Sequence, residues 1–157
     1  MKFITLFITY LFLSAAATCQ PIEKVFFNDG DSTANYYLAM PPTSGSIKAT
    51  LVLLCPYRNP ESILSETMLQ NVAAANDMLT VYASVGMHFI PDSSALQHIN
   101  KLMANVVSKY NADTSMFVLA GYDVAGLTAL KYTEVSNQNP AQTDRSMPDI
   151  FPPPPHW

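Results

Sequence analysis

An α/β sandwich, with an N-terminal hairpin and a mostly parallel sheet, is the fold class that the sequence predicts. Three observations predict it. Short apolar runs at Thr50–Cys55, Met78–Gly86 and Ser115–Gly121 suit strands buried on both faces. Each run leads into a segment whose apolar residues recur at helical spacing. Ahead of them, two apolar or aromatic runs flank Asn28-Asp29-Gly30-Asp31, a cluster that readily takes the positive φ of a hairpin turn.

The chain has 157 residues, enough for one domain with a real core and too few for two ordinary ones. Its 8 Lys+Arg are scattered among 12 Asp+Glu, a pattern that predicts no nucleic-acid partner. At the start, Lys2 precedes an apolar run from Phe3 to Leu13 and small residues from Ser14 to Ala17. That is the layout of a secretory signal peptide, its apolar region too short to cross a bilayer of ~30 Å comfortably. Residues 1–19 are set aside on this ground, and a secreted or periplasmic location is predicted. Cleavage after Ala17 or after Cys19 leaves small residues at the cut. A lipoprotein acylated at Cys19 fits less well, because Thr18 precedes it and Ala16 replaces a larger aliphatic. A cut before Gln20 leaves Cys55 alone, so the core rather than a disulfide framework holds the fold.

Residues 20–135 form the predicted domain. Its hairpin lies within Glu23–Pro42, and the Thr50–Cys55 strand follows. Asn59 then caps a helix with Pro60 at its first position, where the missing N–H costs nothing. Ile63 or Leu64, Met68, Val72 and Ala75 mark the buried face of that single helix. The Met78 strand ends at Gly86, and Asp92 or Ser93 caps a second helix with Ile99, Leu102, Met103, Val106 and Tyr110 on one face. Ser115–Gly121 is a third buried strand and Val124–Val135 a third helix. From Ser136 the sequence is polar and proline-rich, ending in Pro152–Pro155, and residues 136–157 are assigned to a disordered tail.

Between the last strand and the last helix lies Gly121-Tyr122-Asp123-Val124-Ala125-Gly126. A nucleophile at the tip of a strand-to-helix turn is held at positive φ, so its neighbours two before and two or three after must be small. Gly121, Ala125 and Gly126 meet that demand. The N-terminus of the following helix adds N–H groups and a dipole that favour an oxyanion.

In this motif and in the order of the elements from Lys24 to Glu134, the chain resembles an α/β-hydrolase, of the secreted esterase or prolyl-oligopeptidase-like kind. The resemblance implies an incomplete three-layer α/β-hydrolase-like sandwich and a site for a small ester, peptide or other small-molecule ligand. It implies Asp123 at the elbow, with the N–H groups of Tyr57 and Val124 as oxyanion donors. Three departures bear on activity. Asp123 stands where the esterase pattern has serine, although haloalkane dehalogenases and epoxide hydrolases of the superfamily use Asp there. The loop after the first parallel strand reads Cys55-Pro56-Tyr57-Arg58, and Pro56 has no N–H. The acid and the histidine that later strands deliver in such enzymes do not appear before Trp157, which suggests a truncated chain, a frameshift or a premature stop.

The remaining histidines do not replace the missing one. His88 reads as a loop residue, His98 as a solvated residue on a helix flank, and His156 as part of the tail. Cys55 reads as buried at a strand end. His88, His98 and Cys55 have no metal-ligand spacing, and the Gly121–Gly126 segment lacks the Lys-Ser/Thr of a phosphate loop, so no metal or cofactor is predicted. The leading expectation is a hydrolase-like pseudoenzyme or fragment. The alternatives are an Asp123 nucleophile of the dehalogenase or epoxide-hydrolase type, and a non-catalytic binding protein. In the resembling fold the elbow strand is central, so here its outer edge is expected to stand open and to favour self-association.

Overall fold

Five strands make one open sheet in the computed structural model, which describes residues 21–27, 35–56, 60–86 and 91–138. They are β1 Glu23–Phe26, β2 Tyr36–Met40, β3 Ala49–Cys55, β4 Met78–Ser84 and β5 Phe117–Gly121, in the order β1-β2-β4-β3-β5. The near-continuous apolar run of β3 is explained by its place: it lies parallel between β4 and β5 and is buried from Thr50 to Cys55. β1 and β2 pair antiparallel, and β2 meets β4 antiparallel. The sheet is therefore mixed rather than mostly parallel. One strand of any tight hairpin must run against the other, and here the reversed strand is the one that joins the parallel set.

Among the described residues four α-helices pack on the sheet: α1 Pro60–Glu66, α2 Leu69–Ala75, α3 Ser93–Tyr110 and α4 Ala125–Gln138. On one face, Ile99, Leu102, Met103 and Val106 of α3 and Ala125, Ala129 and Tyr132 of α4 form a core with Val52, Leu54, Val81 and Ala83. On the other, Ile63 of α1 packs with Leu53, Cys55 and Tyr82. Asp92 caps α3 as its residue type predicts, its carboxylate accepting from the Ala95 N–H at 2.9 Å. Asn111 closes that helix at φ 50°, in the left-handed region that Asn tolerates.

Three sequence expectations are corrected. The predicted single helix after β3 is two helices, with a break at Thr67–Met68. Tyr82, fully buried on β4, explains the break: its hydroxyl lies 3.0 Å from Thr67 Oγ1 and donates to Gln70 Oε1 at 3.0 Å. Meeting that hydroxyl interrupts the helix and shifts its phase, so Met68 and Val72 are exposed and Ala73 is buried instead. β5 is the sheet's edge and only partly covered, not a third buried strand. α4 runs on to Gln138, past the predicted helix end at Val135. The signal peptide at 1–19, the turn cluster Asn28–Asp31 and the proline run lie outside the described residues.

Neighbouring residues of a strand face opposite sides, and β1 uses this to bind both helical layers. Glu23 meets α3: its carboxylate is 2.8 Å from Lys109 Nζ and accepts from Tyr110 Oη at 2.7 Å. Lys24 meets α1: its ammonium is 2.9 Å from Glu61, which also accepts from Tyr36 Oη at 2.8 Å. The Lys109 and Tyr110 hydrogen bonds hold the Glu23 carboxyl below its ordinary value. Burial pushes Glu61 up, but the Lys24 and Tyr36 bonds outweigh it and the net shift is downward. A carboxyl whose pKa falls on folding contributes stability above its unfolded pKa and loses it as pH drops through the folded value. The urea midpoint is accordingly expected to fall between pH 5 and pH 3, and Glu23→Gln with Glu61→Gln to flatten that fall. An unchanged pH slope in the double variant would show that the two clamps do not contribute. Both pairs are about half exposed, so the effect at neutral pH is small.

Candidate functional site

The elbow is built by the end of β5. The parallel register pairs Gly121 with Leu54, and the Tyr122 N–H extends the ladder by one bond, donating to the Leu54 carbonyl at 2.9 Å. The next residue, Asp123, turns to φ 53° and is exposed at the rim of the sheet. Such a φ is strained for a residue with a side chain, least so for Asp, Asn and Gly. Three tight turn bonds then lead into α4: Ala125 N–H to Tyr122 O at 3.1 Å, Gly126 N–H to Asp123 O at 3.0 Å, and Leu127 N–H to Val124 O at 3.1 Å.

The small residues around the bend differ in need. A Cβ on Gly121 would overlap the backbone carbonyl of Ala125 and the nitrogen of Gly126. A Cβ on Gly126 would lie 3.6 Å from the Gly121 carbonyl, an ordinary contact. Ala125 is buried, its methyl part of the core under α4. The close approach of strand end to helix start therefore rests on Gly121 above all.

Val124 follows the elbow residue, and no acceptor among the described residues takes its N–H. On the β3 side, Pro56 is described and has no N–H to offer, while Tyr57 and Arg58 lie outside the described residues. Cys55, just before, is fully buried, and burial pushes its thiol up to about 12, so it carries no thiolate at neutral pH.

His98 is not a solvated flank residue. Its Nε2 lies 3.1 Å from the Ser84 carbonyl at the end of β4, and its ring meets Phe27 edge-on at 5.0 Å between centroids. A carbonyl only accepts, so Nε2 carries the proton. β3 lies between β4 and the elbow strand, which keeps His98 away from Asp123. His88 and His156 lie outside the described residues.

Beside the elbow, on the outer side of β5, runs a groove of about 450 Å³ lined by Leu119, Ala120, Gly121, Asp123, Leu127 and Leu130. The apolar α4 wall of this groove is not singled out by the sequence, which places Val124–Val135 on a helix without marking its faces. No family model, curated protein or solved structure matches this chain. What the site can do follows from its own atoms. They are an exposed carboxylate at a strained bend, one open N–H beside it, and no histidine next to either among the described residues.

Proposed function

We propose that this is an exported protein of α/β-hydrolase type, related to carboxylic ester or peptide hydrolases, whose elbow does not turn over esters. The observation that carries the reading is the Asp123 bend: φ 53° at a β5-to-α4 turn, with Gly121 against the helix start and the Val124 N–H open. This is the strained strand-to-helix geometry that displays a nucleophile in that fold. The mixed sheet with its antiparallel N-terminal pair, and helices on both faces, agrees with it. Silence toward esters follows from chemistry. A carboxylate that attacks a carbonyl gives an anhydride, and its resolution needs water activated by a base. The one described histidine is tied to the Ser84 carbonyl across the sheet. The purified protein is expected to give no turnover of nitrophenyl esters above that of Asp123→Ala. Multiple turnover that disappears in Asp123→Ala would overturn the reading.

A second reading rests on the exposure of Asp123. A carboxylate oxygen there attacks the carbon of a haloalkane, the halide leaves with the bonding pair, and an alkyl ester forms on Asp123. An epoxide reacts likewise by ring opening, its oxygen taking a proton from water. This reading predicts a covalent mass increment on Asp123 by intact mass spectrometry and peptide mapping. Absence of an increment with short haloalkanes and epoxides removes it.

A further inference from the structure

The two edges of the sheet are treated differently. On β1, the charged pair Glu23 and Lys24 is clamped to helices on both faces, and Pro21 precedes the strand. Charges and prolines of this kind keep an edge from pairing. β5 reads Phe-Val-Leu-Ala-Gly, with no charge and no proline, and no described strand lies beyond it. Large apolar side chains surround this bare edge: Val118 is 50% exposed, Leu127 60% and Leu130 66%. Among the described residues that line the groove bordered by Leu127 and Leu130, Asp123 supplies the only charge.

We propose that this edge is a two-fold interface in which β5 pairs antiparallel with β5 of a second copy of the chain. The backbone geometry fits itself. The Tyr122 N–H points to β3, so in a parallel ladder Ala120 and Val118 share that direction, and Phe117, Leu119 and Gly121 direct their N–H and C=O groups outward. An antiparallel register centred on Leu119 sets Leu119 opposite Leu119, and Phe117 opposite Gly121, of the second copy. Every outward group then has a partner, on the order of six hydrogen bonds across the seam. A two-fold axis normal to the sheet brings the α4 helices together on one face, with Leu127 and Leu130 covered by the same residues of the other copy. The register places Asp123 opposite Ser115, so the two Asp123 carboxylates stand roughly 25 Å apart along the strands. At physiological salt that exceeds the screening length of ~8 Å, and like charge does not oppose the pairing.

The residues after α4 are a poorer occupant by composition. Pro140, Pro148 and Pro152–Pro155 cannot donate to a ladder, and the proline-free stretch Ala141–Met147 is Ala-Gln-Thr-Asp-Arg-Ser-Met, too polar to cover Leu127, Leu130 and Val118.

Sedimentation equilibrium on the purified chain is expected to give twice the chain mass at tens of micromolar. Val118→Lys with Leu130→Lys, both at exposed positions, is expected to raise the dissociation constant more than ten-fold with an unchanged circular dichroism spectrum. Val72→Lys, exposed on α2, is expected to leave it unchanged. As a check that needs no variant, hydrogen exchange at Leu119 and Gly121 should slow as concentration rises. A wild-type monomer, a dimer indifferent to Val118→Lys with Leu130→Lys, an open-ended polymer, or exchange at these amides independent of concentration would each overturn the proposal. The monomer would leave the edge to a different occupant.

Discussion

Gly121→Ala is expected to destabilise the fold by about 3 kcal/mol, with a fall in Tm on the order of 10 °C. The added Cβ would land on the Ala125 carbonyl and the Gly126 nitrogen, both backbone, so no side-chain rotation relieves the overlap. Relief requires the start of α4 to move away from the end of β5. That motion pulls Ala125 and Ala129 off the core that they share with Val52 and Leu54. It also strains the Tyr122 to Leu54 hydrogen bond that continues the ladder to the rim. Gly126→Ala is the matched control. Its Cβ meets only the Gly121 carbonyl, at ordinary distance, and alanine is the better helix former by about 0.5–1 kcal/mol, so this variant is expected to be neutral or stabilising. The measurement is the urea midpoint and Tm of each variant. Equal losses in both would mean that the bend is merely tight throughout, and that the strand-to-helix approach at Gly121 is not its determinant.

The contrast shows which parts of this molecule were legible in its sequence. Local signals carried well: the unbroken run Thr50–Cys55 marked the strand buried on both faces, and Asp92 marked the start of α3. The bend at Asp123 was legible in part for the same reason: Gly121, two residues before it, meets a local steric demand, whereas Gly126 has room for a Cβ. What depended on a distant partner was not legible. His98 reads as solvated until the Ser84 carbonyl and the Phe27 ring are brought to it. The antiparallel meeting of β2 with β4 is a choice of neighbour that no short-range pattern encodes. The exposed Leu127 and Leu130 on α4 likewise look like ordinary helix formers until β5 proves to be the edge beside them.

The helix after β3 offers the second large test, because sequence and structure assign different residues to its core. Periodicity through Met68 and Val72 assumes one continuous helix. The structure instead breaks it where Thr67 and Gln70 meet the Tyr82 hydroxyl, and leaves Ile63 as the fully buried aliphatic of that layer. Two seven-residue helices are too short to be stable alone, so their place on the sheet depends on such contacts. Ile63→Ala removes the side chain that fills the space between Leu53, Cys55 and Tyr82, and is expected to cost about 2–5 kcal/mol. Met68→Ala and Val72→Ala, at 71% and 61% exposure, are expected to stay within about 0.5 kcal/mol of the parent. Chemical denaturation of the three variants separates the two arrangements. A loss at Val72→Ala comparable to that at Ile63→Ala would restore the single helix, and with it a different covering for the Tyr82 side of the sheet. The predicted ordering instead ties the break to one buried hydroxyl. Tyr82→Phe should then weaken α2 before it weakens α1, since the Thr67 and Gln70 bonds are the ones it removes.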